Sequence, residues 1–107
     1  MADKIINIKC TKGFGSYTTD KISKEINALI LNCPTKSHIK ITSDLGYILF
    51  DSKECESIMY IPLRVQGIDS THKRINFSFD KYSINEKLLI EVNQTIVSSE
   101  PVRIIIR

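Results

Sequence analysis

Four hydroxyl-bearing residues follow two glycines in the run Lys12-Gly13-Phe14-Gly15-Ser16-Tyr17-Thr18-Thr19, and no other stretch comes so near to a site for an anion. Glycines let a backbone approach a phosphate closely, and amides left free at the start of a helix would hold its charge. Group transfer needs more, namely a nucleophile and a base to activate it. The run contains neither His, Cys, Asp nor Glu. It has residues suited to binding an anion and none suited to turning it over. The plainer account is that Gly13 and Gly15 make a tight turn and that Thr18 or Thr19 caps a helix.

The remaining chemistry-bearing residues are dispersed. Cys10, Cys33 and Cys55 are an odd, widely spaced set, and with His38 and His72 they match no metal-ligand spacing. Cys10 and Cys33 fall in apolar stretches and read as core fillers, whereas Cys55 lies among polar residues. His38 reads as a strand or surface residue and His72 as a loop residue. No carboxylate pair or nucleophile–base set stands out, so no catalytic, cofactor-binding or metal-binding residue is assigned. Lys9, Lys12, Lys21, Lys24, Lys36 and Lys40 raise the idea of an anion-binding side. The net charge is only +3, from 15 basic and 12 acidic residues intermixed along the chain. That excess is too small and too dispersed to argue by itself for nucleic acid or a membrane surface, and neither is expected as a partner.

The elements that would position these residues follow from hydrophobic spacing. Residues 4–8 read as a strand. Ile22, Ile26, Leu29, Ile30 and Cys33 recur at helical spacing, so the glycine run is expected to open a helix that stops before Pro34. His38-Ile39-Lys40-Ile41-Thr42 alternates as a strand, 43–46 as a turn, and 47–50 as the returning strand. Residues 57–61 read as one or two helical turns before Pro62. The clearest strand is 74–80, with Ile75, Phe77 and Phe79 on one face. Ser83-Ile84-Asn85-Glu86 has the form of a capping box, and Ile84, Leu88, Val92 and Ile96 follow at four-residue intervals. Residues 102–107 read as a last strand. The expected fold class is therefore α+β, a two-layer sandwich with helices on one face of a mainly antiparallel sheet. With 107 residues, 42% of them hydrophobic, and no Gly/Pro/Ser-rich linker, a single domain over 1–107 is expected. No apolar stretch reaches the length of a membrane span, and Met1-Ala2-Asp3-Lys4 does not open a signal peptide, so the expected location is cytoplasmic.

That order of elements resembles the histidine phosphocarrier protein (HPr) family of the bacterial sugar phosphotransferase system. The resemblance covers residues 4–98, leaving 99–107 as a C-terminal extension. It places Gly13 and Phe14 on the family's Gly-Leu/Ile pair, Gly15 on the phosphorylated histidine, Ser16 on the following alanine, Tyr17 on the assisting arginine and Thr18 on the proline. A second likeness is Ser57-Ile58-Met59-Tyr60-Ile61-Pro62-Leu63, similar to the family's Ser-Ile-Met-Gly-Val/Leu-x-Leu segment. The resemblance implies that Ser57 is a regulatory phosphorylation site for an HPr-type serine kinase, and that the modified protein binds a transcriptional regulator. Ile58, Met59 and Leu63 would then line the contact patch. The connection from Gly46 to Ser57 is long for the family, and a glycine is missing near Tyr60.

With Gly15 in place of the histidine, the resemblance implies a non-catalytic regulatory or protein-interaction module without phosphocarrier activity, whose partner surface is Gly15, Ser16, Tyr17, Ile58, Met59 and Leu63. The alternative is a structural or assembly protein that oligomerises through the C-terminal strand. Three successive isoleucines there would otherwise favour aggregation.

Overall fold

The structure, a computed structural model, describes residues 3–68 and 74–107, with only the backbone of 64–68 and 74–83. His72 lies outside the described residues, as do the faces of Ile75, Phe77 and Phe79. The fold is all-β. The strands are β1 (Lys4–Ile8), β2 (Phe14–Thr18), β3 (Ile22–Ile26), β4 (Ala28–Ser43), β5 (Ile48–Pro62), β6 (Arg64–Ile68), β7 (Arg74–Glu86), β8 (Leu88–Gln94) and β9 (Val102–Ile106). No helix occurs among the described residues, which overturns the expected α+β sandwich.

Each expected helix proves to be strand, for a physical reason. Four-residue spacing is an even number, so it satisfies a period of two as well as a helical face. Ile84, Leu88 and Val92 are joined on one buried face by Glu86 and Ile90, while Asn85, Lys87 and Leu89 are exposed. Leu29, Leu31 and Cys33 likewise alternate inward in β4. Ile84, Ile90 and Val92 are β-branched, as are Ile22 and Ile26, which stiffens them against a helical turn and suits a pleated surface. Residues 57–61 belong to β5, and Ile96 lies in the β8–β9 loop.

The sheet is organised by its longest strand. β4 pairs with β5 along one edge, from Ala28↔Pro62 to Thr42↔Ile48. Its other edge is shared, with β9 against Leu29–Asn32 and β8 against Ser37–Ser43. β1 then pairs with β9, and β2 with β8. At the level where β9 gives way to β8, every strand is interrupted. β4 carries a register shift across residues 34–36, Ser57 of β5 has a positive φ, and β1–β2 and β8–β9 are joined by excursions. The sheet folds on itself along this crease, as bulged strands allow. β1 and β2 meet at the far side and leave a nearly closed, barrel-like sheet.

β3, β7 and β6 form a second, three-stranded sheet in the order β3-β7-β6. Asn27, Leu63 and Lys87 are the single-residue corners through which three strands pass from one sheet to the other. Their backbones are tied by Leu63 N–H to Asn27 O (2.9 Å), Asn27 N–H to Arg107 O (2.7 Å) and Asp44 N–H to Lys87 O (3.0 Å). The core runs through both sheets: Ile22, Ile26 and Ile84 join Leu29, Ile39, Ile90 and Ile104 in one buried cluster. Burial of each such side chain contributes about 1.5–3 kcal/mol. Glu86 is the exception in this row, a buried acid whose Oε2 accepts Asn85 N–H at 3.2 Å while its Oε1 lacks a partner among the described residues.

β9 is no appended tail. It lies between β1 and β4 with both edges paired inside the chain, and Val102, Ile104 and Ile106 are fully buried. Its backbone is already occupied, so it offers no edge through which to oligomerise.

Candidate functional site

The glycine run does not open a helix. Thr11 and Phe14 exchange backbone bonds (2.8 and 3.1 Å) across Lys12 and Gly13, whose φ values are 53° and 82°. Two positive φ values in a two-residue loop are the mark of a hairpin turn of the primed kind. The amides that would have cradled an anion are instead those of a turn and of β2, which is bonded to β8. Gly15 is required for packing. A Cβ there would lie 2.8 Å from Ile8 Cγ2 and 3.1 Å from Cys10 Sγ, across the seam where β2 meets β1. Ser16 and Tyr17 are exposed on β2.

Ser57 is exposed, and its φ of 57° places it in the left-handed region, opposite Cys33 at the crease. No helix dipole is present to stabilise a phosphate on it. The nearby Glu54 and Glu56 are exposed carboxylates that would oppose one. The two halves of the expected partner surface are also parted, because β8 and β4 lie between β2 and β5. Within the 57–63 segment, strand alternation separates the residues further. Met59 and Leu63 pack against the core, whereas Ile58 turns outward.

The three thiols are buried and unpaired. Burial pushes Cys33 up to about 12, helped by neighbouring Cys55 and Cys10, and raises Cys55 and Cys10 as well. Cys55 is thus a core residue despite its polar surroundings in sequence, and these neutral thiols are poor nucleophiles. Among the described residues, no three His, Cys, Asp or Glu side chains converge as metal ligands. His38 and Asp51 pair across β4 and β5, and Lys36 Nζ reaches Glu54 Oε2 at 2.8 Å between the same strands. Glu54 raises the Lys36 ammonium by this bond, so part of the basic side is already neutralised.

The most distinctive surface is the outer side of β5. Among the described residues β5 pairs with β4, and its other edge has no strand beside it. Along residues 58–63 the side chains alternate strictly, with Ile58 and Tyr60 outward at 73% and 59% exposure and Met59, Ile61 and Leu63 packed on the core. The direction of the backbone groups follows from β4. Ala28 exchanges bonds with Arg107 (3.2 and 3.0 Å), so the polar groups of Leu29 face β5, where its partner is Ile61. Ile61 therefore turns its N–H and C=O toward β4, as does Met59, while Ile58 and Tyr60 turn theirs to the open edge. Exposed backbone and exposed apolar side chains coincide at the same two residues. Tyr60 is the exposed residue of this edge that sequence reasoning missed, and the unbroken apolar run Ile58-Met59-Tyr60-Ile61-Pro62-Leu63 carries no alternation from which its outward face could be read.

Comparison of the chain with protein-family models, with curated proteins and with solved structures finds no match. Nothing in these comparisons links the chain to the HPr family, and the all-β architecture removes the fold on which that resemblance rested. Among the described residues, no helix is long and apolar enough to cross a membrane.

Proposed function

We propose that this protein is a non-catalytic binding module that works through the outer side of β5, with Ile58 and Tyr60 as its contact residues. One observation carries the reading: two large apolar side chains stand exposed, next but one in the strand, along an edge whose N–H and C=O groups face outward. An open edge with apolar side chains is a template for another strand, and protein recognition by strand addition uses both features together. Buried, unpaired thiols fit a reducing compartment and so a cytoplasmic setting.

A photo-crosslinking residue at Ile58, compared with one at Ser16 on β2, tests this in the cell that makes the protein. Adducts from position 58 and none from position 16 are expected. Adducts from position 16 alone, or from neither position, would overturn the reading.

A further inference from the structure

We infer that the strand received by the open edge of β5 is the β5 strand of a second copy, paired antiparallel about a two-fold axis through Met59. The inference rests on the binding role proposed for β5 and adds the partner and the register.

The argument is one of self-complementarity. The regular part of the open edge is short, because Ser57 with its left-handed φ ends it on one side and Pro62, which has no N–H, on the other. Within it, the outward-facing polar groups are those of Ile58 and Tyr60. An antiparallel pairing satisfies such groups by setting one outward-facing residue against another, each exchanging N–H···O=C bonds in both directions. With the axis at Met59, Ile58 of each copy meets Tyr60 of the other and no group on either residue is left over. Moving the axis to Tyr60 sets Ile58 against Pro62, whose ring occupies the place of the missing donor and leaves the Ile58 carbonyl unpaired. The proline thus selects the register.

The side chains agree with the backbone. In the chosen register the exposed Ile58 lies across from the exposed Tyr60 of the other copy on the outer face, a β-branched–aromatic cross-strand pair of the favourable kind. A two-fold arrangement repeats that pair and closes the interface on itself, so the β5 edge of each copy is used once and is then filled. A foreign strand would find the same hydrogen bonds, but would reproduce the side-chain match only with apolar residues at the two facing positions, which a second copy supplies by symmetry.

Sedimentation of the whole chain tests the inference together with Tyr60→Pro. The Tyr60 N–H faces the open edge, so the variant loses no bond to β4 and its far-ultraviolet dichroism should keep the strand signature. From about 10 to 500 µM, the wild type is expected to rise from 12.2 kDa toward twice that mass, while Tyr60→Pro stays at the monomer mass. Should Tyr60→Pro fail to fold, Tyr60→Lys puts a charge on the same edge and serves in its place. For the register, Ile58→Cys chains mixed with Tyr60→Cys chains under oxidised glutathione should form the mixed disulfide in preference to either like pair. A wild type that remains monomeric overturns the second copy as partner, and crosslinks from position 58 to another protein would then leave the binding role standing. A dimer that persists in the edge variants, or like-pair disulfides formed as readily as mixed ones, overturns the β5 interface.

Discussion

β9 and the 58–62 stretch of β5 carry similar apolar side chains and meet opposite fates. Ile104, Ile105 and Ile106 alternate between a fully buried face and a half-buried one, with a strand bonded on each side. Among the described residues Ile58 and Tyr60 have a strand on one side only, and their side chains are exposed. Composition does not separate the two segments. Their neighbours do: β9 is enclosed because β1 turns back along it, while β4 has already given its second edge to β8 and β9 and nothing remains to cover β5. An apolar strand is a hazard or a core element according to its place in the sheet order, and of these two it is β5 that is open and β9 that is enclosed.

The sharpest way to break this comparison is to truncate one side chain on each strand. Ile104→Ala is expected to lower unfolding free energy by about 2–5 kcal/mol, because it opens a cavity in a fully buried site. Ile58→Ala is expected to change it by no more than about 0.5 kcal/mol at a concentration where the chain is monomeric. Urea unfolding of both variants reads the difference. Equal losses would mean that the outer face of β5 is buried in the isolated chain, and the contrast would be void.

A smaller loss is expected where the two folded halves touch. Gly15→Ala sets a methyl 2.8 Å from Ile8 Cγ2, and Ile8 belongs to the β1 side that encloses β9. Overpacking of this kind costs about 1–3 kcal/mol. The change should loosen the β1–β9 flank while leaving β5 as it was, which hydrogen exchange resolved by strand will show as faster exchange in β1, β2 and the β9 amides that face β1, and not in β5. Uniform acceleration, β5 included, would mean that the flank and the open strand are not independent.

How far the sequence disclosed this arrangement depended on which spacings are ambiguous. Residues 4–8, 38–42 and 74–80 read correctly as strand and 102–107 does so but for its last residue, and in 38–42 and 74–80 the strict alternation of apolar and polar residues has no helical equivalent. Ile84, Leu88 and Val92 misled, since their interval suits both periods and Glu86 supplied an apparent capping box. That glutamate is instead the polar member of a buried row, and a helix reading gives no reason to look for one there. Ile22 and Ile26 misled in the same way. The candidate contact residues were half legible. Ile58 is among the expected contact residues, but in one patch with Met59 and Leu63, and a strand puts it on the opposite side from both. The partner surface on Gly15, Ser16 and Tyr17 comes from the HPr resemblance, which needs a helix to open where the chain makes a hairpin turn at Lys12 and Gly13.

On the β5 side, Ser57 offers a finer test of why the open edge is short. A non-glycine residue in the left-handed region costs about 1–2 kcal/mol, and glycine relieves most of it. Ser57→Gly is expected to raise unfolding free energy by about 0.5–1 kcal/mol with the edge unchanged. Ser57→Val should lower it by about the same amount, since a β-branched residue suits this conformation least. A gain for valine in thermal unfolding would mean that β5 runs straight through residue 57, and the bracket on its open edge would be gone.

The smallest effect belongs to the β9 side, where Arg107 beyond β9 holds Asp3 ahead of β1, with Arg107 Nη2 at 3.0 Å from Asp3 Oδ2. The bond from Arg107 keeps the Asp3 carboxyl below its ordinary value of 3.8. A carboxyl depressed in the folded state adds stability at pH values above its unfolded value, and that stability is lost as the pH falls through the folded value. The wild type should therefore lose its small advantage over Asp3→Asn as the pH is lowered below about 4, and the two melting curves should converge. Because the pair is exposed, added salt should shrink the difference at neutral pH as well. A difference that persisted in acid would have to come from the shape of the side chain and not its charge. The ends of β1 and β9 would then be held by packing, and the enclosed strand would owe nothing to this ion pair.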